Sequence, residues 1–280
     1  MRYIAEEKIF ATAFEIKTIL EPHMNIIGML PARMGSTRYP GKPMAKINGI
    51  PMIGHVYYRC RMCTLLTDVY VATCDREIFD YIESIGGKAV MTADTHERCS
   101  DRCAEGMLKI EQQTGKRTDI LAMIQGDEPM VYPEMIAESL QPMLDDPAVL
   151  ITNLLGEITS QAEFEDPNQV KVVTDLAGNA LYFSREPIPS RKKFSGTIPM
   201  FKQVPIIPFR RDFLIEYNSM AQTPLEIIES VDMMRIVENG IKVRMIKTAY
   251  ETHAVDTIAD LQHVEELMKE DALVKLYERA

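Results

Sequence analysis

From Asn25 onward the chain repeats one rhythm: an apolar run of strand length, then a stretch with apolar residues three and four positions apart. The runs Ile26 to Pro31, Asp68 to Thr73, Lys88 to Met91, Ile120 to Ile124 and Val149 to Leu155 are mostly apolar rather than alternating, which predicts strands buried on both faces. Met52 to Leu66, Arg76 to Ile85, Asp101 to Gln113 and Pro133 to Asp145 carry the helical spacing between them. Such alternation predicts a parallel sheet with helices on both of its faces. Ligands of these sheets collect where strands end at their carboxyl edge, so chemistry is expected in the segments that directly follow each run.

The two ends of the chain and its middle depart from this rhythm. Residues 1–23 read as an appended helical extension, Glu6 to Leu20, that stops at Glu21-Pro22 and carries no recognisable chemistry. The main domain then covers 24–280. After Gln169 the pattern becomes hairpin-like, Val170 to Thr174 and Ala180 to Ser184, with six prolines from Pro187 to Pro224, which predicts a β-rich insertion over about 170–209. A helix over Pro224 to Glu238, a strand over Val243 to Lys247 and a closing helix over Thr257 to Met268 complete the expected order.

Charge and cysteine usage narrow the function. With 31 Lys and Arg against 41 Asp and Glu, the net charge is −10, which argues against sequence-independent nucleic-acid binding but leaves room for a small anionic ligand held by local cations. No apolar run approaches the ~20 residues that cross a bilayer, and charges interrupt the N-terminus where a signal peptide needs an apolar core, so the expected location is the cytoplasm. Five cysteines without an export signal predict free thiols, and Cys60 and Cys63, lacking a second CxxC, read as helix residues rather than half a zinc site. The nineteen methionines fall at helix and strand spacings and read as core filling.

Three segments carry candidate chemistry. The loop after the first strand, Leu30 to Pro43, holds Arg33, Arg38 and Lys42 with Ser36, Thr37, Gly35 and Gly41, a composition suited to cradling a polyphosphate. The run Leu121 to Ile124 ends in Gln125-Gly-Asp127-Glu128, where Asp127 could either cap a helix or ligate Mg²⁺. Asp256 also follows a strand and precedes a helix; it reads alone as an N-cap with Asp260, or together with Asp127 as a two-carboxylate metal site.

The strings LPARMGSTRYPGKPM, VATCD, MIQGDEPM, DPNQVKVV, ALYFSREPIP, TPLEIIESVDMMR and VDTIADL, in this order from Ile26 to Met268, resemble the cytidylyltransferases that activate 3-deoxy-manno-octulosonate. The resemblance implies a three-layer α/β, Rossmann-like nucleotidyltransferase with a mainly parallel central sheet. It implies an enzyme that uses CTP and Mg²⁺, joins CMP to a 2-keto sugar acid and releases pyrophosphate, feeding a pathway such as bacterial lipopolysaccharide synthesis, and that works as a homodimer without nucleic-acid or membrane partners. Carried over by position, Arg33, Ser36 and Lys42 would hold the triphosphate and Asp127 and Asp256 the metal. Asp75, Ser100 and Arg102 would lie by the nucleotide, and Gln125, Arg185, Glu226 and Glu229 by the acceptor. No histidine base is required, so His55, His96 and His253 read as structural or peripheral.

Two segments depart from the family's pattern. A loop close to H-x-S-G-T-x-R reads His96-Glu-Arg-Cys-Ser-Asp-Arg102, and a segment like H-L-G-I-Y-G-Y-R reads Gln203-Val-Pro-Ile-Ile-Pro-Phe-Arg210. In the expected acceptor pocket Gln203 thus stands for the histidine, apolar side chains for the two tyrosines and prolines for the two glycines, while Arg210 keeps the family's cation, and the further cations Arg191, Lys192, Lys193, Lys202 and Arg211 fall nearby. Cytidylyl transfer to a phosphonate or other acidic acceptor is the alternative reading, and a nucleotide-binding relative without turnover is another.

Overall fold

The computed structural model describes residues 24–35 and 39–278. The 1–23 extension and Ser36 of the expected phosphate loop lie outside the described residues.

The repeating rhythm folds as its apolar faces require. Strands β1 (Ile26–Ala32), β4 (Asp68–Thr73), β5 (Ala89–Met91) and β6 (Ile120–Ile124) form a parallel array, and β11 (Ile206–Arg210) joins its edge antiparallel to β6. The order across the sheet is β11-β6-β1-β4-β5. Every residue of β1 is buried, and its alternate side chains serve two cores. Ile27 and Met29 pack on α3 (Cys99–Thr114) and α6 (Arg211–Ser219), while Ile26, Leu30 and Ala32 pack on α1 (Met52–Arg61), α2 (Arg76–Ser84) and α4 (Pro133–Asp145). The result is the three-layer arrangement expected from the sequence, each buried aliphatic side chain contributing about 1.5–3 kcal/mol of transfer free energy.

The fifth apolar run takes a different place. It forms β7 (Thr152–Glu157), followed by the short α5 (Gln161–Glu165), in a second sheet of order β12-β7-β10-β8-β9, with β8 (Lys171–Thr174), β9 (Ala180–Ser184), β10 (Phe201–Val204) and β12 (Arg244–Lys247). Only the β12 and β7 pair is parallel there; β7-β10, β10-β8 and β8-β9 are antiparallel. The parallel core is thus one of two five-stranded sheets, and the short strands β2 (Lys46–Ile47) and β3 (Ile50–Pro51) pair separately. The strands β10 and β11 are separated by Pro205 alone, whose missing N–H and fixed φ interrupt the ladder, so the chain bends there from the second sheet into the first. A bridge between Ile151 and Phe209 links the two sheets alongside.

The expected helix over Pro224 to Glu238 is two helices, α7 (Pro224–Glu229) and α8 (Met233–Glu238), broken at Ser230, which adopts a left-handed conformation with φ 52° and ψ 47°. A small third core closes the C-terminus. Val264 and Met268 at α9 (Ile258–Leu267), with Val274 and Tyr277 of α10 (Val274–Tyr277), pack on Ile47, Met130 and Val255. Those three residues follow Lys42, follow Asp127 and precede Asp256, so this core ties together the loops that carry the expected site.

Candidate active site

Because β1, β4, β5 and β6 are parallel, their carboxyl ends share one edge, and the loops after them meet there. After β1 the chain turns through Gly41, whose φ of 76° favours glycine, and enters a single 3₁₀ turn over Lys42–Met44. The backbone N–H of Met34 donates to Asp75 Oδ2 at 2.8 Å, and that of Gly41 donates to the Met34 carbonyl at 2.9 Å. Asp75, two residues past β4, thereby holds the root of the basic loop.

Lys42 is the junction of the site. Its ammonium donates to the Val255 carbonyl at 2.7 Å and lies 3.4 Å from Asp256 Oδ1 and 3.7 Å from Asp127 Oδ2. The Val255 N–H donates to the Asp127 carbonyl at 2.8 Å, fixing the two acidic segments to each other. The capping alternatives for both acids fall away. Thr257 caps α9 in a reciprocal pair with Asp260, and the residue at the N-cap of α4 is Tyr132, so neither Asp127 nor Asp256 is occupied in that way.

The donor set fits a hard divalent cation. Two carboxylates converge on one positive group, and the second oxygen of Asp127, Oδ1, is buried without a hydrogen-bond partner. Among the described residues no cluster of three or more His, Cys, Asp or Glu side chains forms an all-protein cage. One or two carboxylates completed by substrate phosphate oxygens is the arrangement Mg²⁺ commonly accepts.

Between this junction and the second sheet runs a cleft of about 290 Å³, lined by Gln125, Asp127 and Asp256 on one side and by Arg185, Gln203 and Lys202 on the other. The Gln203 amide donates to Asn153 Oδ1 at 2.7 Å, which sets its orientation. Arg185 bridges Pro167, Glu229 and Ser230 through their carbonyls at 2.9, 2.8 and 3.1 Å. Arg33 is exposed beside β1, with its guanidinium 3.5 Å from the His96 carbonyl.

Several expected contacts serve the fold instead. Ser100 and Arg102 are buried in the first turn of α3, and Arg102 donates to Thr92 Oγ1 at 2.6 Å and to the carbonyls of Ala93 and His96. Glu226 is fully buried in a two-pronged ion pair with Arg235, at 2.6 and 2.7 Å. Glu229 accepts hydrogen bonds from Tyr182, Ser184 and the Arg185 N–H, bracing the end of β9. Arg210 lies at the wrong edge for the acceptor pocket. Its partner in β6 is Ile120, the first residue of that strand, because β11 runs antiparallel, so it ends opposite the edge that carries Asp127. Its guanidinium donates to the carbonyls of Met143, Val149 and Asp146.

The cleft also contains residues that the sequence reading passed over. Glu128 is 4% exposed and accepts the His253 N–H at 3.0 Å; burial, reinforced by the Asp127 carboxylate beside it, pushes its pKa up to about 8. Arg98 enters the cleft and donates to Asp232 Oδ1 at 2.7 Å. Burial raises the Asp232 pKa, and Arg98 opposes that shift. Glu128 was within reach of sequence reasoning, as the acid next to Asp127; the Arg98 and Asp232 pair, 134 residues apart, was not.

A basic loop, paired carboxylates and a cleft at the carboxyl edge of a parallel sheet together define a nucleotidyltransferase site, and the comparisons with known proteins agree. The sequence profile described as cytidylyltransferase matches residues 27–245. The 3-deoxy-manno-octulosonate cytidylyltransferase of Geobacter metallireducens is 41% identical over 253 residues, 87% of this chain and 97% of that one. That of Geobacter sulfurreducens is 42% identical over 256 residues, 88% of this chain and 100% of that one. A solved structure of CMP:2-keto-3-deoxy-manno-octonic acid synthetase complexed with CTP superposes with a TM-score of 0.81 at 40% identity, covering 88% of this chain and 99% of that one. The chain belongs to the cytidylyltransferase family and, within it, groups with the 3-deoxy-manno-octulosonate cytidylyltransferases.

Proposed function

We propose that this chain joins CMP from CTP to the anomeric hydroxyl of 3-deoxy-manno-octulosonate and releases pyrophosphate. The observation that carries the reading is the meeting of Asp127 and Asp256 at one lysine ammonium, 3.7 and 3.4 Å away, opposite a cleft with room for a small acid. The named relatives and the CTP-bound structure supply the substrate class.

In this reading a hydroxyl oxygen of the sugar acid attacks the α-phosphorus, its proton passing to water, the bond to the β-phosphate oxygen breaks, and pyrophosphate leaves. Little covalent work falls to the protein; alignment and neutralisation of charge dominate. Arg33 and Lys42 carry the positive charge that a triphosphate requires, with Lys42 able to turn from the acids toward the phosphates. Asp127 and Asp256 would hold Mg²⁺, which when bound neutralises phosphate charge and polarises the phosphorus under attack. Arg185 and Gln203, already oriented by their own hydrogen bonds, would receive the acceptor's carboxylate and hydroxyls. The same reading expects a homodimer acting in the cytoplasm; among the described residues no helix is long and apolar enough to cross a membrane.

Pyrophosphate release should be measured with CTP, UTP and ATP against 3-deoxy-manno-octulosonate, a related nonulosonate and a small phosphonate. Release that requires CTP and 3-deoxy-manno-octulosonate together is expected. Preferential turnover of the phosphonate would transfer the reading to a different acidic acceptor, and no release with any pair would end it.

A further inference from the structure

The second sheet contains a side chain that packing does not explain. Lys171, the first residue of β8, is 0% exposed, and its ammonium donates to the carbonyls of Asp166, Gln169 and Arg185 at 2.8, 2.7 and 2.5 Å. These three bonds use every proton it has. Directly across the ladder sits Lys202, also buried, whose ammonium is paired with the Glu163 carboxylate at 2.5 Å. Burial lowers the Lys171 pKa, which shows the cost of keeping the charge there. An apolar replacement would remove that cost but take the donor away from three backbone carbonyls.

What the ammonium does achieve is local geometry. Its three carbonyls belong to the loop 166–169 and to Arg185, and both line the cleft. Arg185 is tied to that loop a second time, because its guanidinium donates to the Pro167 carbonyl. Lys171 therefore fixes Arg185 directly through its backbone and indirectly through the loop that carries Pro167. From these contacts we infer that Lys171 is a positioning residue for the acceptor's acid group: it sets the Arg185 guanidinium and the 166–169 loop that form one wall of the cleft. The inference rests on the proposed transfer to a sugar acid and adds to it the group that orients that wall. The facing wall, with Gln125, Asp127 and Asp256, and the basic loop beyond the cleft lie outside its reach, so nucleotide binding should be indifferent to it.

The test is steady-state kinetics with CTP and 3-deoxy-manno-octulosonate on the full chain, comparing Lys171→Met with Val172→Ala. Val172 is the next residue of β8, buried in the core and not among the residues that line the cleft, and serves as a matched destabilising control. Wild-type turnover establishes the parent reading; if the wild type does not turn over, that reading fails whatever Lys171 does. Given turnover, Lys171→Met is expected to raise the acceptor KM about tenfold or more while the CTP KM stays within about twofold, and Val172→Ala to lower the melting temperature with no such split. If Lys171→Met does not fold, Lys171→Arg takes its place, since the three carbonyls converge on a single nitrogen and the bulkier guanidinium must displace at least one of them, and the same split is expected. An unchanged acceptor KM in whichever variant folds, or a proportional change in both KM values, would overturn the inference.

Discussion

Replacing Lys42 with methionine perturbs the candidate site where its charges are most concentrated. The Lys42 ammonium lies 3.4 and 3.7 Å from two carboxylates, and the three side chains retain only 14%, 20% and 24% exposure. Coulomb's law at an effective dielectric constant of about 20 gives each contact roughly 4–5 kcal/mol. Desolvation of the charges offsets most of this, and partial solvent screening removes more, leaving a net loss of about 2 kcal/mol when the cation is removed. In a domain of this size that corresponds to a fall of about 4–8 °C in melting temperature. The loss should depend on divalent metal. In EDTA, Lys42→Met leaves two like charges facing each other; in millimolar Mg²⁺ a bound cation neutralises both, and most of the lost stability returns. Calorimetry of wild type and variant with EDTA and with Mg²⁺ measures this directly. An equal fall in both conditions would show that Lys42 and the metal do not share the two aspartates, and the reasoning would fail.

Other expectations follow from the same contacts. Glu226→Gln leaves Arg235 buried without its counter-ion and should cost about 3 kcal/mol with little change in either KM; a higher acceptor KM at unchanged melting temperature would instead return Glu226 to the acceptor site. Arg210→Ala should leave kcat/KM within about twofold, because Arg210 lies at the far edge of the sheet, and a tenfold loss would contradict that placement. The Glu128 carboxyl, with a pKa raised to about 8, binds its proton more tightly in the folded state than in the unfolded one. The metal-free protein should therefore lose stability as pH rises through about 8, having its full contribution only below the ordinary carboxyl range. Chemical denaturation across pH should show this slope in the wild type, and its persistence in Glu128→Gln would assign it to another group.

Much of the catalytic edge was legible because local pattern and position agree there. An apolar run ending in Gln125-Gly-Asp127 locates a strand end, and parallel strands bring such ends to one edge whatever the details of pairing. Asp256, expected to follow a strand directly, instead comes nine residues after β12 of the second sheet and is held beside Asp127 by the Val255 N–H. The β8–β9 hairpin and the β12 strand were legible, but their membership of a second sheet was not, since β7, β10 and β12 pair across long sequence separations and nothing in their composition distinguishes them from strands of the first sheet. For the same reason Arg210 was misplaced: its position depends on β11 running antiparallel to β6, and strand direction leaves no trace in hydrophobic period. Lys171 and Arg98 escaped for another reason. Their partners are backbone carbonyls and an aspartate more than a hundred residues away, so no spacing announces them. Glu226 shows the converse, an acid in a motif-like string whose charge is consumed by the buried Arg235.

The central claim is that Asp127 and Asp256 act as one unit on the triphosphate. Rates of CTP-dependent pyrophosphate release by Asp127→Asn, Asp256→Asn and the double variant, each checked for folding, address it most directly. Either single substitution is expected to lower the rate by about a thousandfold, with the second adding little to the first. Independent, multiplying losses, or a single variant that keeps the wild-type rate, would contradict it.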